Sequence, residues 1–253
     1  MNNKVVFITG AGSGMGQLAA KRALAEGSAV AALDVNALGL ELLGSAKNLL
    51  KLVVDVTDPV AVKAAVERTE QELGPIDRVI SAAAILPLGL LMDQDQSLIH
   101  RVMAINYGGL VNVAKAALPG MLCRDRGEFI SFASLAGHFP SIYFGAYDAS
   151  KFAAVAFTEV LRNENRKSAV RFACVCPPFV ATPMLELAED NVRPKSLDRT
   201  RPLSSDDVLD VMESGIARGK FLIMPGLAAK ISYLLRRLSP DLAWWLVRRI
   251  EGG

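Results

Sequence analysis

Tyr147 and Lys151 stand four residues apart in the segment YDASK, so a helix would set both on one face. An ammonium beside a phenol favours the phenolate and lowers the tyrosine pKa, which lets the phenol give and take a proton nearer neutral pH. Ser134 precedes Tyr147 by thirteen residues and follows an apolar run. Its hydroxyl can donate to an oxygen on which negative charge develops. Together these groups suit acid–base chemistry at a carbonyl or alcohol oxygen. Alone, Tyr147 and Lys151 would read as an ordinary exposed helix pair; Ser134 and a second constellation weigh against that.

The second constellation is Thr9-Gly10-Ala11-Gly12-Ser13-Gly14-Met15-Gly16, directly after the first strand pattern. Glycines there permit a tight turn and close backbone approach, so helix N-terminal amides can meet a pyrophosphate. Asp34 ends the second strand pattern. A carboxylate at that position can accept from adenosine ribose hydroxyls and repels a ribose phosphate. The plain alternatives, a strand–helix turn and a solvated strand-end acid, lose weight because both occur in one βαβ unit.

The elements that position these residues follow from periodicity. Apolar, β-branched runs at 4–9, 28–34, 49–55, 76–82, 127–133, 170–176 and 220–224 predict seven strands. Helical spacing fills the intervals, one helix starting at Asp58-Pro59 and stopping at Gly74-Pro75. Strands that are nearly continuously apolar and alternate with helices indicate a parallel sheet covered on both faces. The expected architecture is therefore an α/β, Rossmann-type, doubly wound seven-stranded sheet in one domain (1–226), with a helical extension (227–253). The irregular stretch 177–203 leaves the carboxyl end of a strand, where ligands bind in such sheets, and is a candidate substrate lid.

Composition narrows the class. The 253 residues are 51% hydrophobic with a net charge of +2, which argues against a disordered chain and against nucleic acid as a partner. The longest apolar stretch, 79–92, is broken by Pro87 and Gly89 and is too short to span a bilayer. The start, MNNKVVFITG, has no signal-peptide pattern. Cys174 and Cys176 share a strand face as small core residues, and no cysteine spacing suits zinc or a disulfide. A reducing, cytoplasmic setting is expected, with no metal.

With these motifs in order, the chain resembles the short-chain dehydrogenase/reductase family from about residue 4 to 225. TGAGSGMG matches its TGxxxGxG turn and Tyr147–Lys151 its YxxxK, with Ser134 at the family's spacing; Asn106 in MAINYGG falls at its catalytic asparagine. Asp55-Val56 matches its adenine-contacting pair. The resemblance implies that Lys151 also binds the nicotinamide ribose and that Asn106 holds a water in a proton relay. It implies cofactor contacts from Gly10, Ser13, Gly14, Met15, Gly16, Asp34, Val35, Asp55, Val56, Ala82, Ala83, Ala84, Tyr147, Lys151, Pro177, Val180 and Thr182. It further implies a homo-oligomer. Asp34 followed by Val35 and Asn36, with no basic neighbour, predicts NAD(H) over NADP(H).

Two departures stand out. Ser81-Ala82-Ala83-Ala84 replaces the family's Asn-Asn-Ala-Gly, removing two amide side chains that brace the sheet centre. Pro177-Pro178 replaces Pro-Gly and stiffens the root of the lid; this form resembles the branch containing 3-ketosphinganine reductases. Apolar candidates near Tyr147 (Leu86, Phe144, Phe179 and Met184, with His138 in the loop after Ser134) point to a greasy secondary alcohol or ketone, steroid-, sphingoid- or otherwise lipid-like. The same residues read as ordinary packing if taken singly. A non-catalytic dinucleotide-binding regulator on the same fold is the alternative from a different class.

The extension LAAKISYLLRRLSPDLAWWLVRRIEGG has five basic and two acidic residues, so it holds +3 while residues 1–226 hold −1. Its first helix pattern puts Leu227, Ile231, Leu234, Leu235 and Leu238 on one face, and a second follows Ser239-Pro240-Asp241 with Trp244 and Trp245. Peripheral membrane contact, a subunit contact and a flap packed on the body all fit this pattern.

Overall fold

Five consecutive buried residues, Val5–Thr9, form β1 at the middle of the sheet. The computed structural model describes residues 4–188, 192 and 194–252. Helix α1 (Gly14–Ala25) leads to β2 (Ala29–Asp34), α2 (Ala37–Glu41) to β3 (Leu49–Val53), and α3 (Pro59–Glu72) to β4 (Arg78–Ser81). Helices α4 (Gln96–Met103) and α5 (Gly109–Cys123) are joined by a π-helical turn, Ala104–Gly108, and precede β5 (Glu128–Phe132). Then come α6 (Gly145–Glu164), β6 (Arg171–Val175), α7 (Pro183–Ala188), α8 (Lys195–Arg199), α9 (Ser205–Ala217) and β7 (Leu222–Ile223). The chain closes with α10 (Leu227–Leu238) and α11 (Pro240–Glu251).

All seven strands pair in parallel, in the order β3-β2-β1-β4-β5-β6-β7. The sequence returns across the sheet between β3 and β4, so β1 and β4 flank the topological switch point where a ligand crevice opens at the carboxyl ends. Alternate strand residues feed opposite cores. Phe7, Leu33, Val79 and Phe129 pack toward α3 and α5, whereas Ile8, Val30, Ile80 and Ile130 pack toward α1 and α9. The third strand ends at Val53, two residues earlier than its apolar pattern. Asp55 causes this: its Oδ1 accepts from the Thr57 amide and hydroxyl, both at 2.8 Å, and turns the chain. Asp58 caps α3 as expected, accepting from Val60 and Ala61 amides.

The amino end of the sheet buries charge. Arg78 and Glu128 sit opposite each other on β4 and β5, and Glu128 also receives Lys4 and Arg171. Arg78 reaches Glu213 as well, at 2.6 Å. Burial pushes the Glu128 carboxyl up, yet Arg78 and Lys4 outweigh it and hold the group below its ordinary range. Removing the acid leaves the buried Arg78 with Glu213 as its remaining carboxylate among the described residues and frees the partly exposed Lys4 and Arg171, so Glu128→Ala is expected to destabilise the fold by about 2–4 kcal/mol in urea denaturation; a loss under about 1 kcal/mol would contradict this balance.

Candidate active site

The glycine turn is shaped by contacts that leave no room for side chains. A Cβ at Gly10 would lie 2.8 Å from the Ala83 amide nitrogen, and one at Gly16 would lie 2.1 Å from the Gly10 carbonyl oxygen. Gly10 and Gly14 have φ of 72° and 53°, the left-handed region that glycine tolerates. Ser13 caps α1 in extended backbone with no side-chain cap bond, so the first amides of the helix have no partner within it. Asp34 accepts from the Gly12 amide with one carboxylate oxygen and from the Asn36 amide with the other, each at 2.9 Å. The acid is therefore part of the turn itself. Val35 is exposed beside it, Met15 packs into the core behind it, and Val56 packs against Gly109.

The missing amide side chains at 81–82 have a substitute. The Thr9 hydroxyl accepts from the Ala82 and Ala83 amides, at 3.2 and 3.3 Å, and ties β1 to the segment through Ala84. Sequence reading passed over Thr9, although it begins the turn motif.

Across the crevice, Ser134 stands two residues beyond the end of β5 and α6 carries Tyr147 and Lys151. The Ser134 hydroxyl accepts from the Ala136 amide at 3.1 Å, donates to the Pro177 carbonyl at 3.4 Å and interacts with the Tyr147 phenol. Lys151 is buried, donates to the Phe132 carbonyl at 2.9 Å, and sits 5.5 Å from the Tyr147 ring centre. Burial pushes Lys151 down to about 8. Tyr147 does not show the lowered pKa expected from its neighbour: burial pushes it up to about 12, and the Ser134 hydroxyl only partly opposes this. Desolvation of the phenolate dominates this shift.

Asn106 lies in the π-helical turn. Its Oδ1 accepts from the Ile85 amide at 2.8 Å, and its Nδ2 donates to the Ile85 carbonyl and the Ser150 hydroxyl. Both amide hydrogens are thus engaged in holding the segment after β4 against α6.

Asp148, next to Tyr147, is a further group that sequence reading missed. An aspartate in a helix defaults to solvent, but this one is buried. Its Oδ2 accepts from the Ser141 amide at 2.8 Å and its Oδ1 has no partner. Burial raises its pKa to about 8. The bond pins the loop in which Tyr143 adopts φ 72°.

Leu88, Phe144, Leu185 and Leu197 form a buried cluster joined by Leu86, Tyr147 and Phe179; the Phe144 and Phe179 rings are 5.7 Å apart. Two expected wall residues are placed otherwise. His138 turns to the extension, its ring 5.0 Å from Tyr233 and its Nε2 3.7 Å from Cys176 Sγ. Met184 is half-buried in α7, outside that cluster. The lid root is anchored: Val180 bridges Leu203, and the Pro177 carbonyl accepts from the Leu135 amide. Thr182 stands next to Gly14, 3.6 Å from a Cβ placed there. Part of the lid, 189–191 and 193, lies outside the described residues. The extension packs on the body, α11 meeting α8 through Glu251, whose carboxylate accepts from the Lys195 and Ser196 amides.

Comparison with known proteins agrees with this fold. The short chain dehydrogenase family profile matches residues 4–193. The rat 17-beta-hydroxysteroid dehydrogenase 13 is 30% identical, over 98% of this chain and 83% of its own. Oxidoreductase UcpA of Escherichia coli K12 is 33% identical, over 74% and 73%. A Burkholderia phymatum short chain dehydrogenase/reductase, solved in complex with NAD, superposes with a TM-score of 0.84 at 24% identity, covering 95% of both chains.

The buried Asp148 has a consequence for stability. The unfolded chain releases this proton near pH 4 while the folded chain holds it to about 8, so stability falls as pH rises through that window. Asp148→Asn removes the charge and keeps an acceptor for Ser141. It is expected to raise stability at pH 7 by on the order of 3 kcal/mol and to flatten the pH 4–8 slope in thermal melts. An unchanged slope would sink this reading.

Proposed function

The chain belongs to the short-chain dehydrogenase family, and we propose that it is an NAD(H)-dependent oxidoreductase interconverting a hydrophobic secondary alcohol and its ketone. The observation that carries this is the convergence of Ser134, Tyr147 and Lys151 on a crevice with the glycine turn at one side and an apolar cluster at the other. The cradle fits a dinucleotide: backbone replaces side chains at Gly10, Gly12 and Gly16, where any Cβ would collide. Helix amides at 14–16 suit the pyrophosphate, Asp34 the adenosine ribose, and Lys151, with one donor used on Phe132, the nicotinamide ribose. Bound NAD(H) supplies or accepts the hydride at the substrate carbon.

The protein's own groups handle the oxygen. Tyr147 is a protonated phenol at neutral pH and donates to the oxygen of a ketone as it becomes an alcohol. Ser134 donates a second bond to the same oxygen and holds it beside the phenol. In the opposite direction Lys151 as ammonium stabilises the phenolate that takes up the alcohol proton. Asn106 fixes Ile85 and Ser150, and so keeps the floor of the crevice in register with α6. Leu86, Phe144 and Phe179 with Leu88, Leu185 and Leu197 exclude water and favour a lipid-like substrate. The similarity to proteins named for steroid dehydrogenation supports that class.

Tyr147→Phe is expected to lower turnover by about 10²- to 10⁴-fold on a panel of lipophilic alcohols and ketones while dinucleotide still binds. Full turnover in that variant defeats the assignment, and binding without turnover in the parent favours a regulator.

Cofactor choice rests on Asp34. NAD(H) is expected to bind roughly tenfold or more tightly than NADP(H), because a ribose phosphate would face the carboxylate with no cation beside it. Asp34→Asn should narrow the gap in a fluorescence titration. Equal affinities in the parent would contradict the assignment.

A further inference from the structure

Helices α10 and α11 turn small residues inward and large ones outward. Ala229 is buried against the body and Ala243 and Val247 are buried on α11, whereas Leu227, Ile231, Leu234 and Leu238 are between 52% and 82% exposed. Those four recur at spacings of four, three and four, which is one stripe along α10. On α11, Leu242 and Trp245 are 45% and 47% exposed and one turn apart. An amphipathic helix in a globular body normally buries its apolar stripe; here that stripe faces out.

Cations accompany the stripe. Lys230, Arg237, Arg248 and Arg249 are exposed, and among the described residues none of them enters a salt bridge. The Arg249 guanidinium lies 5.2 Å from the Trp245 ring centre, and Arg237 donates to the Tyr233 hydroxyl at 2.8 Å. Of the two acids in the extension, Glu251 is committed to the amides that begin α8. No helix among the described residues is long and apolar enough to cross a membrane.

We propose that α10 and α11 dock this face on the surface of a bilayer containing anionic lipid, with the leucines and Trp245 at the headgroup–acyl boundary and the cations on lipid phosphates. Apolar bulk flanked by unpaired cations complements that surface on both counts. A second copy suits it less well, because a symmetric contact would set the same cations against each other. The docked face adjoins the crevice: α11 holds α8, whose Leu197 belongs to the apolar wall, and Tyr233 meets His138 in the loop after Ser134. The docking stands independently of the substrate class proposed above.

The test is flotation of the full chain with vesicles of phosphatidylcholine alone and vesicles enriched in phosphatidylglycerol. The chain should float with the anionic vesicles, weakly or not at all with the neutral ones, and less as salt rises. Arg248→Glu with Arg249→Glu should cut partitioning about 30-fold or more. Leu234→Gln with Leu238→Gln should cut it comparably, with circular dichroism and thermal midpoint unchanged. Failure of the parent to float, equal flotation on both vesicle types, or variants that float like the parent would overturn the proposal. So would a parent assembly that ignores vesicles and is split by the leucine variant, which would assign the face to a second copy.

Discussion

The approach of α1 to β1 is the constraint on which the rest of the site depends. At Gly16 the helix passes so close to the Gly10 carbonyl that even a methyl group would sit 2.1 Å from it. This closeness brings the amino end of α1 over the switch point between β1 and β4. The same turn then packs Gly10 on the Ala83 backbone and Gly12 on the Asp34 carboxylate, which links three strand ends. Thr9 completes the link with its hydroxyl, doing from β1 what side-chain amides after β4 would otherwise do. A ribose-sized acid and a pyrophosphate-sized set of amides end up on one rim because the backbone can come no other way.

The two ends of the sheet treat buried charge in opposite fashion. At the amino end Arg78 and Glu128 neutralise each other and share Lys4, Arg171 and Glu213, so burial is offset by ion pairs. At the carboxyl end Lys151, Tyr147 and Asp148 are carried on two turns of α6, and among the described residues neither Lys151 nor Asp148 enters a salt bridge. Each is pushed toward its neutral form, Lys151 to about 8, Tyr147 to about 12 and Asp148 to about 8. Unpaired, desolvated groups of this kind cost stability and concentrate where chemistry is done. The helix tolerates them because the same face continues into the core through Ala154, Val155 and Thr158.

The architecture was legible because its signals are periodic and local. Seven apolar runs, the Asp58 cap and the glycine turn each follow from neighbouring residues, and all appear in the fold. The positions of Ser134, Tyr147 and Lys151 were legible for the same reason. Their electrostatics were not: the i, i+4 spacing of Tyr147 and Lys151 says that they are close, but the balance between cation and burial is set by the whole surrounding core. Asp148 shows the same limit, since its burial comes from the loop at 141–144 folding over it. His138 differs again. It lies in the loop after Ser134, yet Tyr233, almost a hundred residues later, captures its ring. Asn106 combines both cases, its place readable from a motif and its bonding to Ile85 and Ser150 only from the fold.

The extension joins these parts mechanically. Glu251 closes the amino end of α8, a helix of five residues too short to hold itself without such a cap. Leu197 of α8 in turn packs with Leu88, Phe144 and Leu185 to wall the crevice. This apolar cluster is thus held from its far side by the last turn of α11. The charge of the molecule divides along the same line, −1 over residues 1–226 and +3 over the extension. A net +2 that says little as a sum therefore separates a nearly neutral body from a basic segment that braces α8.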